Sequence, residues 1–214
     1  GYSKSTYISL KDSSVVTTGN NSAGTAVSAR AMMKVENSTV STTGDSSPAI
    51  MIADGGGILI ADGGSFTTSG AMSQGIYSKG DVTVTNASVN ALNAKAAVLK
   101  GNNTITLSGT ILEGKETADT IPYNIVLFSD EKDIGTMGTQ HFDVRGGSLI
   151  SHKGGMFYVT ATHGKISLNG TAITMDDPAA NLITVAGNDG ANGWGTPGRN
   201  GGHVELVADN QVPV

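Results

Sequence analysis

The chain has 214 residues, of which 38% are hydrophobic and 14% charged, with a net charge of -5. Charged residues make up roughly 25% of an average domain, so Ser, Thr, Asn and Gly must build most of this surface. Lys plus Arg number 13 against 18 Asp plus Glu, with no basic cluster to meet a phosphate backbone, which excludes nucleic acid as a partner. The absence of cysteine excludes disulfide frameworks and thiolate metal sites, and no run of about 18 apolar residues is present to span a membrane.

From the N-terminus, "GYSKSTY" lacks the pattern of a signal peptide. A unit then begins at Ile8, "ISLKDSSVVTTG", and is echoed by "MKVENSTVSTTG" from Met33 and "ILIADGGSFTTSG" from Ile58. Further echoes start at Val82, Ile105, Phe142, Ile166 and Val204. The period is about 24 residues, the signature of stacked repeats. Two intervals, Ile105 to Phe142 and Ile166 to Val204, are longer and mark insertions near 115–141 and 187–203.

Each unit opens with an alternating apolar pair: Ile8 and Leu10, Met33 and Val35, Ile58 and Ile60, Val82 and Val84, Ile105 and Leu107. Period two puts both side chains on one face of a strand. A turn follows at Asp12-Ser13, Asn37-Ser38, Gly63-Gly64, Asn86-Ala87 and Gly109-Thr110, residue types that tolerate positive φ. One apolar residue then returns: Val15, Val40, Phe66, Val89, Leu112, Leu149 and Ile173. Half a unit later comes a further apolar strand: "TAVSA", "PAIMIA", "QGIYS", "KAAVL", "YNIVLF", "MFYVT" and "NLITV".

Three short strands per unit cannot form a core alone, but stacked in register they can. The expected fold is all-β: a single-stranded, right-handed parallel β-helix of about eight rungs, roughly 40 Å long at the usual strand spacing. Aliphatic columns should fill the axis, and outward Ser, Thr and Asn should form polar ladders. No stretch carries the i, i+3, i+4, i+7 pattern of an amphipathic helix. The whole of 1–214 reads as one domain, and the closing "NQVPV" as a cut through a longer chain.

Phrases such as "NSTVSTTG" and "QGIYSKGDVTVTNASV" resemble the passenger domains of autotransporter adhesins. The later part, "GGMFYVTATHGKISLNGTAITMDDPAANLITVAGNDGANGWGTPGRNGG", is similar to Ser/Thr/Gly-rich β-helical surface proteins of Gram-positive gut bacteria. The resemblance implies a bacterial cell-surface or extracellular location and an adhesive, glycan-binding or purely structural role. It carries over no catalytic residue.

The same fold hosts pectin lyases and polygalacturonases, so residues must decide. Asp176-Asp177, before Pro178, is the one adjacent acid pair and reads as a turn. His163-Gly164 resembles a piece of the polygalacturonase pattern but precedes the acid pair, whereas in that family it follows, and the family's Arg-x-Lys is missing. Asp12, Glu36 and Asp62 occupy similar places before successive turns and could stack into an acidic strip; Asp54 and Asp62 flank "GGGILIA". His141, His152, His163 and His203 lack zinc-ligand spacing. The expectation is therefore a non-enzyme, with a pectin-degrading lyase or hydrolase as the alternative and a ligand-free stalk as a third reading.

Where a rod departs from its period, binding residues gather. The first insertion holds "YNIVLF" and the acidic loop "SDEKDIG". The second, "GNDGANGWGTPGRNGGH", holds the only tryptophan. Trp194 offers a stacking face for a sugar, with Arg199, Asn200, His203 and Asp189 as polar partners. Asn188, Asp189 and Asn192 are weak calcium candidates, because the alternating acids and closing Glu of a calcium loop are missing; no other cofactor is implied. The bland alternative is that Trp194 packs back onto the rod. A glycan or host-surface ligand is the partner expected; oligomeric state is open.

Overall fold

A computed structural model of the chain describes residues 6–130, 138–187, 194–195 and 201–208. The chain winds as a parallel β-solenoid of about seven turns, each contributing up to three strands. The first turn carries β1 (Tyr7–Lys11), β2 (Ser14–Thr17) and β3 (Thr25–Val27). In the next two, first and second strands run together: β4 (Ala31–Thr42) with β5 (Ile50–Ile52), then β6 (Gly57–Thr68) with β7 (Ile76–Ser78). Then follow β8 (Asp81–Thr85), β9 (Ser88–Ala91) and β10 (Ala97–Lys100), and β11 (Thr104–Ser108), β12 (Ile111–Gly114) and β13 (Tyr123–Phe128). Above them lie β14 (Thr139–Arg145), β15 (Ser148–Ser151) and β16 (Gly155–Thr160), and β17 (His163–Asn169), β18 (Ala172–Met175) and β19 (Ile183–Ala186). β20 (His203–Ala208) pairs onto β17 and opens the next turn.

First and second strands form a 13-stranded sheet and third strands a 7-stranded one, with every ladder parallel. Parallel strands need long crossovers, and the remainder of each coil supplies them. All seven predicted third strands are present, from β3 to β19.

The axis is filled by the expected columns. One runs from the exposed Ile8 at its open end through Met33, Leu59, Val82, Ile105, Phe142 and Ile166, and another runs Leu10, Val35, Ala61, Val84, Leu107, Val144, Leu168. The second strands add Val15, Val40, Phe66, Val89, Leu112, Leu149 and Ile173. The Phe142 and Phe157 rings meet edge-on across the core at 5.6 Å. Each such buried aliphatic or aromatic side chain contributes about 1.5–3 kcal/mol.

One register differs from the expectation. Leu59 and Ala61 face the core, whereas Ile58 and Ile60 face outward; Ile58 pairs with Met32 and Asp81 and is 38% exposed. The run "GILIA" is apolar at both parities, so alternation alone does not choose between them. The connection into β6, Ala53 to Gly56, is one residue longer than that into β4, Ser28 to Arg30, and this shifts the parity.

The turn between first and second strands repeats a left-handed residue: Asp12, Asn37, Gly63, Asn86, Gly109, Gly146 and Gly170 all have φ between 45° and 69°. The next position is tighter. A Cβ at Gly64 would lie 2.1 Å from the Ser38 carbonyl oxygen, and one at Gly147 2.2 Å from that of Thr110.

In the first three coils the turn before the third strand is tied by hydroxyls. Thr17, Thr42 and Thr68 stack in register and donate to the carbonyls of Ser22, Ser47 and Ser73. Ser47 Oγ accepts from Ser22 N at 3.0 Å, and Ser73 Oγ accepts from Ser47 N at 3.0 Å. Buried backbone groups that bend away from a ladder need such partners. The Thr column ends at Ala91, which pairs above Thr68.

The first insertion is smaller than the spacing implied. "YNIVLF" is the regular third strand β13, paired with β10 and β16, because it supplies the inward Ile125 and Leu127 that the core column requires. The extra residues are divided between two connections: 115–122 before β13, eight residues against five (92–96) in the coil below, and the connection from β13 to β14, whose residues 131–137 lie outside the described ones. The second long connection, β19 to β20, leaves from the same corner of the coil.

Candidate ligand-binding face

The third-strand ladder presents an outer face that is apolar, not the polar ladder expected. Reading up the register, its outward residues are Ala26, Met51, Tyr77, Val98, Val126, Tyr158 and Thr184. Val98, Val126, Phe128 and Tyr158 are buried in a second apolar cluster, separate from the axial core and packed by Tyr77, Ile121, Tyr123 and Trp194. These strands are apolar at both parities, the pattern of strands buried on both sides.

Trp194 covers the upper part of this face. Its indole Nε1 donates to Asp119 Oδ2 at 2.9 Å, and its ring meets Phe128 edge-on with centroids 5.1 Å apart. His203, at the start of β20, instead packs its ring against His163 at 4.4 Å. The structure therefore does not bring Trp194 and His203 to the same partners. The other predicted binding residues, Arg199, Asn200, Asp189, Asn188 and Asn192, lie outside the described residues.

The lower part of the same face is open. A cleft of about 460 Å³ lies there, with Met51, Tyr77, Met72 and Pro48 as its apolar wall. Asn21, Ser46, Gln74 and Lys79 place amide, hydroxyl and ammonium groups at its edge. Lys79 Nζ is held 2.6 Å from Asp54 Oδ1, which raises the lysine and lowers the carboxylate from their ordinary values. The cleft is concave and mixed, with no acidic residue in its lining.

Beneath Trp194 is a buried charged cluster. Lys95 is 1% exposed, and its Nζ donates to the carbonyls of Ile121 at 2.6 Å and Tyr123 at 3.2 Å. The same Nζ lies 3.2 Å from Asp119 Oδ2, 3.6 Å from Glu116 Oε2 and 5.7 Å from the Trp194 ring centre. Glu116 is buried and its Oε1 accepts from the backbone N–H groups of Ala118 and Asp119. Burial pushes the Lys95 ammonium below its usual range, with the two carboxylates opposing.

A second cluster lies where the second strands end. His152 Nδ1 is 2.7 Å from Asp176 and its Nε2 is 2.5 Å from Glu113. Hydrogen bonds from the ring to both carboxylates, that to Asp176 foremost, raise the imidazole above its usual value. With both nitrogens engaged, the ring has no free lone pair for general base work or metal ligation. Asp177 Oδ1 accepts from Ala179 N at 3.0 Å, the turn role expected of that acid pair.

The acidic strip is built differently from the expectation. Lys11, Glu36 and Asp62 share a column, while Asp12 sits one position on, in the left-handed column with Asn37 and Gly63. Lys34 pairs with Glu36 at 3.0 Å. On the outer side of the first strands, His141, Asp143, Arg145, Lys165, Ser167 and Asn169 line a shallow polar hollow of about 260 Å³. Among the described residues, no group of three or more His, Asp and Glu side chains is placed to hold a metal ion.

Sequence reasoning missed Lys95, Glu116, Asp119, Glu113 and the Tyr77 cleft. A signal existed for Lys95. The Thr-to-Ser spacing of three coils, Thr17 to Ser22, Thr42 to Ser47 and Thr68 to Ser73, breaks in the fourth, where Lys95 stands near the expected serine.

Fold and sites define the class: a parallel β-solenoid with one two-sided apolar sheet. No protein-family model, curated protein or solved structure matches the chain.

Proposed function

We propose that the protein is a non-catalytic carbohydrate-binding solenoid displayed outside the cell, as on a bacterial surface. The observation that carries this reading is the open cleft at Tyr77. A pyranose has an apolar face ringed by hydroxyls. Tyr77 and the two methionines match the face, while Asn21, Gln74 and Ser46 match the ring of hydroxyls. Cleavage of a glycosidic bond requires paired carboxylates, and this cleft is lined by none. The low charge and the hydroxyl-tied turns also fit a protein that holds its shape without metal or disulfide support.

A glycan array with the intact chain, run with and without calcium, tests the reading. Binding should appear in both conditions, and Tyr77→Ala should weaken it about tenfold, the loss expected for one aromatic face. Binding unchanged by Tyr77→Ala, or release of an unsaturated or hydrolysed product from an acidic polysaccharide, would overturn it.

A further inference from the structure

The ion cluster beneath Trp194 has the parts for a covalent bond. Lys95 Nζ and Asp119 Oδ2 are 3.2 Å apart, and the Ile121 peptide groups hold both partners. The amine is fixed by the carbonyls of Ile121 and Tyr123. The carboxylate is fixed at both oxygens: Ile121 N donates to Oδ1 at 3.0 Å and Trp194 Nε1 to Oδ2 at 2.9 Å. Glu116 Oε2 stands 3.6 Å from the same Nζ, and this glutamate is 2% exposed.

We propose that Lys95 and Asp119 condense to an intramolecular isopeptide bond, with Glu116 carrying the proton. Transfer of one proton within the ion pair gives a neutral amine and a neutral carboxylic acid. The amine lone pair attacks Cγ of Asp119, and the C=O π pair moves onto Oδ1, where the Ile121 N–H receives it. Glu116 takes a proton from the attached nitrogen and returns it to Oδ2, which departs as water when the carbonyl re-forms. One C–N bond forms, one C–O bond breaks and one water leaves; no oxidant or co-reactant is consumed.

Three physical features favour the step. Burial penalises the charged pair more than the neutral one, so the proton transfer that is costly in water is cheap here; the downward displacement of the Lys95 ammonium has this cause. Fixing amine and carboxyl in contact replaces a bimolecular encounter by an effective concentration far above any solution value. The Ile121 N–H at Oδ1 stands where negative charge develops in the tetrahedral intermediate, and the Trp194 Nε1–H at Oδ2 orients the carboxyl group. The resulting amide retains one N–H, which the Ile121 carbonyl accepts.

Intact-mass measurement on the folded, then denatured, full chain tests the proposal. The chain should be lighter than its sequence by one water, and proteolysis should yield a branched peptide joining Lys95 to Asp119. Glu116→Gln keeps an acceptor for the Ala118 and Asp119 N–H groups and leaves both reacting groups in place, so it should fold yet crosslink at least tenfold more slowly. A wild-type chain of full sequence mass after prolonged incubation would overturn the proposal. So would a loss of water without the branched peptide, which marks an aspartyl cyclic imide, or a Glu116→Gln chain that crosslinks at the wild-type rate.

Discussion

Replacing Leu59 and Ile58 by alanine, one at a time, tests the solenoid's register. These neighbours have opposite orientations: Leu59 is 0% exposed in the column between Met33 and Val82, and Ile58 is 38% exposed on the outer face. Leu59→Ala removes three buried carbons from an axis whose neighbours are locked by ladder hydrogen bonds and cannot collapse into the gap. The cost should be about 3 kcal/mol, within the range for buried leucine. Ile58→Ala loses partial shielding and some strand preference, which should cost under about 1 kcal/mol. For a chain of this size, 1 kcal/mol shifts Tm by about 2–4 °C, so Leu59→Ala should lower Tm by roughly 6–12 °C and Ile58→Ala by less than about 4 °C. Thermal melts followed by far-ultraviolet circular dichroism separate the two. A larger loss for Ile58→Ala than for Leu59→Ala would refute the register and the reason given for it, the longer connection before β6.

The hydroxyl ladder predicts a graded series. Ser73→Ala strands the buried Ser47 N–H and the Gly44 carbonyl and should cost about 1–3 kcal/mol in urea denaturation, whereas Ser22→Ala, at the exposed end, should fall within about 0.5 kcal/mol of wild type. Gly147→Ala should destabilise strongly, because φ of 68° and a contact at 2.2 Å leave no place for a methyl group. His152 should make stability depend on pH. Its folded value lies above its unfolded one, so its contribution is fully present below the unfolded value of about 6.5 and is lost as pH rises through the folded value. The Tm gap between wild type and His152→Gln should therefore be widest below the unfolded value, near pH 5.5, and should narrow as pH rises through the higher folded value; a gap that grows with pH would contradict the triad.

The axial half of the fold was legible because its signal is redundant. Seven coils repeat an alternating pair, a left-handed turn residue and a returning apolar residue, and an error in one coil is outvoted by the others. The misreadings fall where a coil offers two equally apolar parities. At Ile58 to Ala61 the pattern could not choose, and turn length decided. In β5, β7, β10, β13 and β16 both parities are apolar, so the outer face was assigned polar residues it does not have. The triplets "IMI", "AVL" and "FYV" already carried the sign of a strand covered on both sides. The charged clusters were illegible for a different reason. Lys95 lies one coil below the connection that carries both Glu116 and Asp119, and Glu113, His152 and Asp176 belong to three successive coils, so each cluster is completed only through stacking. A linear scan for acid pairs or metal spacing looks along the chain, while a solenoid assembles its sites across it.

That cross-coil geometry explains why reinforcement is concentrated beneath Trp194. In the first three coils the turn before the third strand is secured by Thr hydroxyls within each coil and by Ser hydroxyls that tie one coil to the next. The Thr column stops at Ala91, and Gly114 continues it in the next coil, so these turns lack that tie. Lys95 enters here and reaches up one coil to Asp119, replacing many weak links with a single strong one. If the bond forms, it closes a loop of about 25 residues, and the chain-entropy relation for crosslinks gives about 3.5 kcal/mol for a loop of that size. The gain would fall between the open Tyr77 cleft below and the two long connections above. A ligand gripped at the cleft and pulled along the rod would load this junction, and a covalent tie between coils resists that load where hydrogen bonds alone would shear.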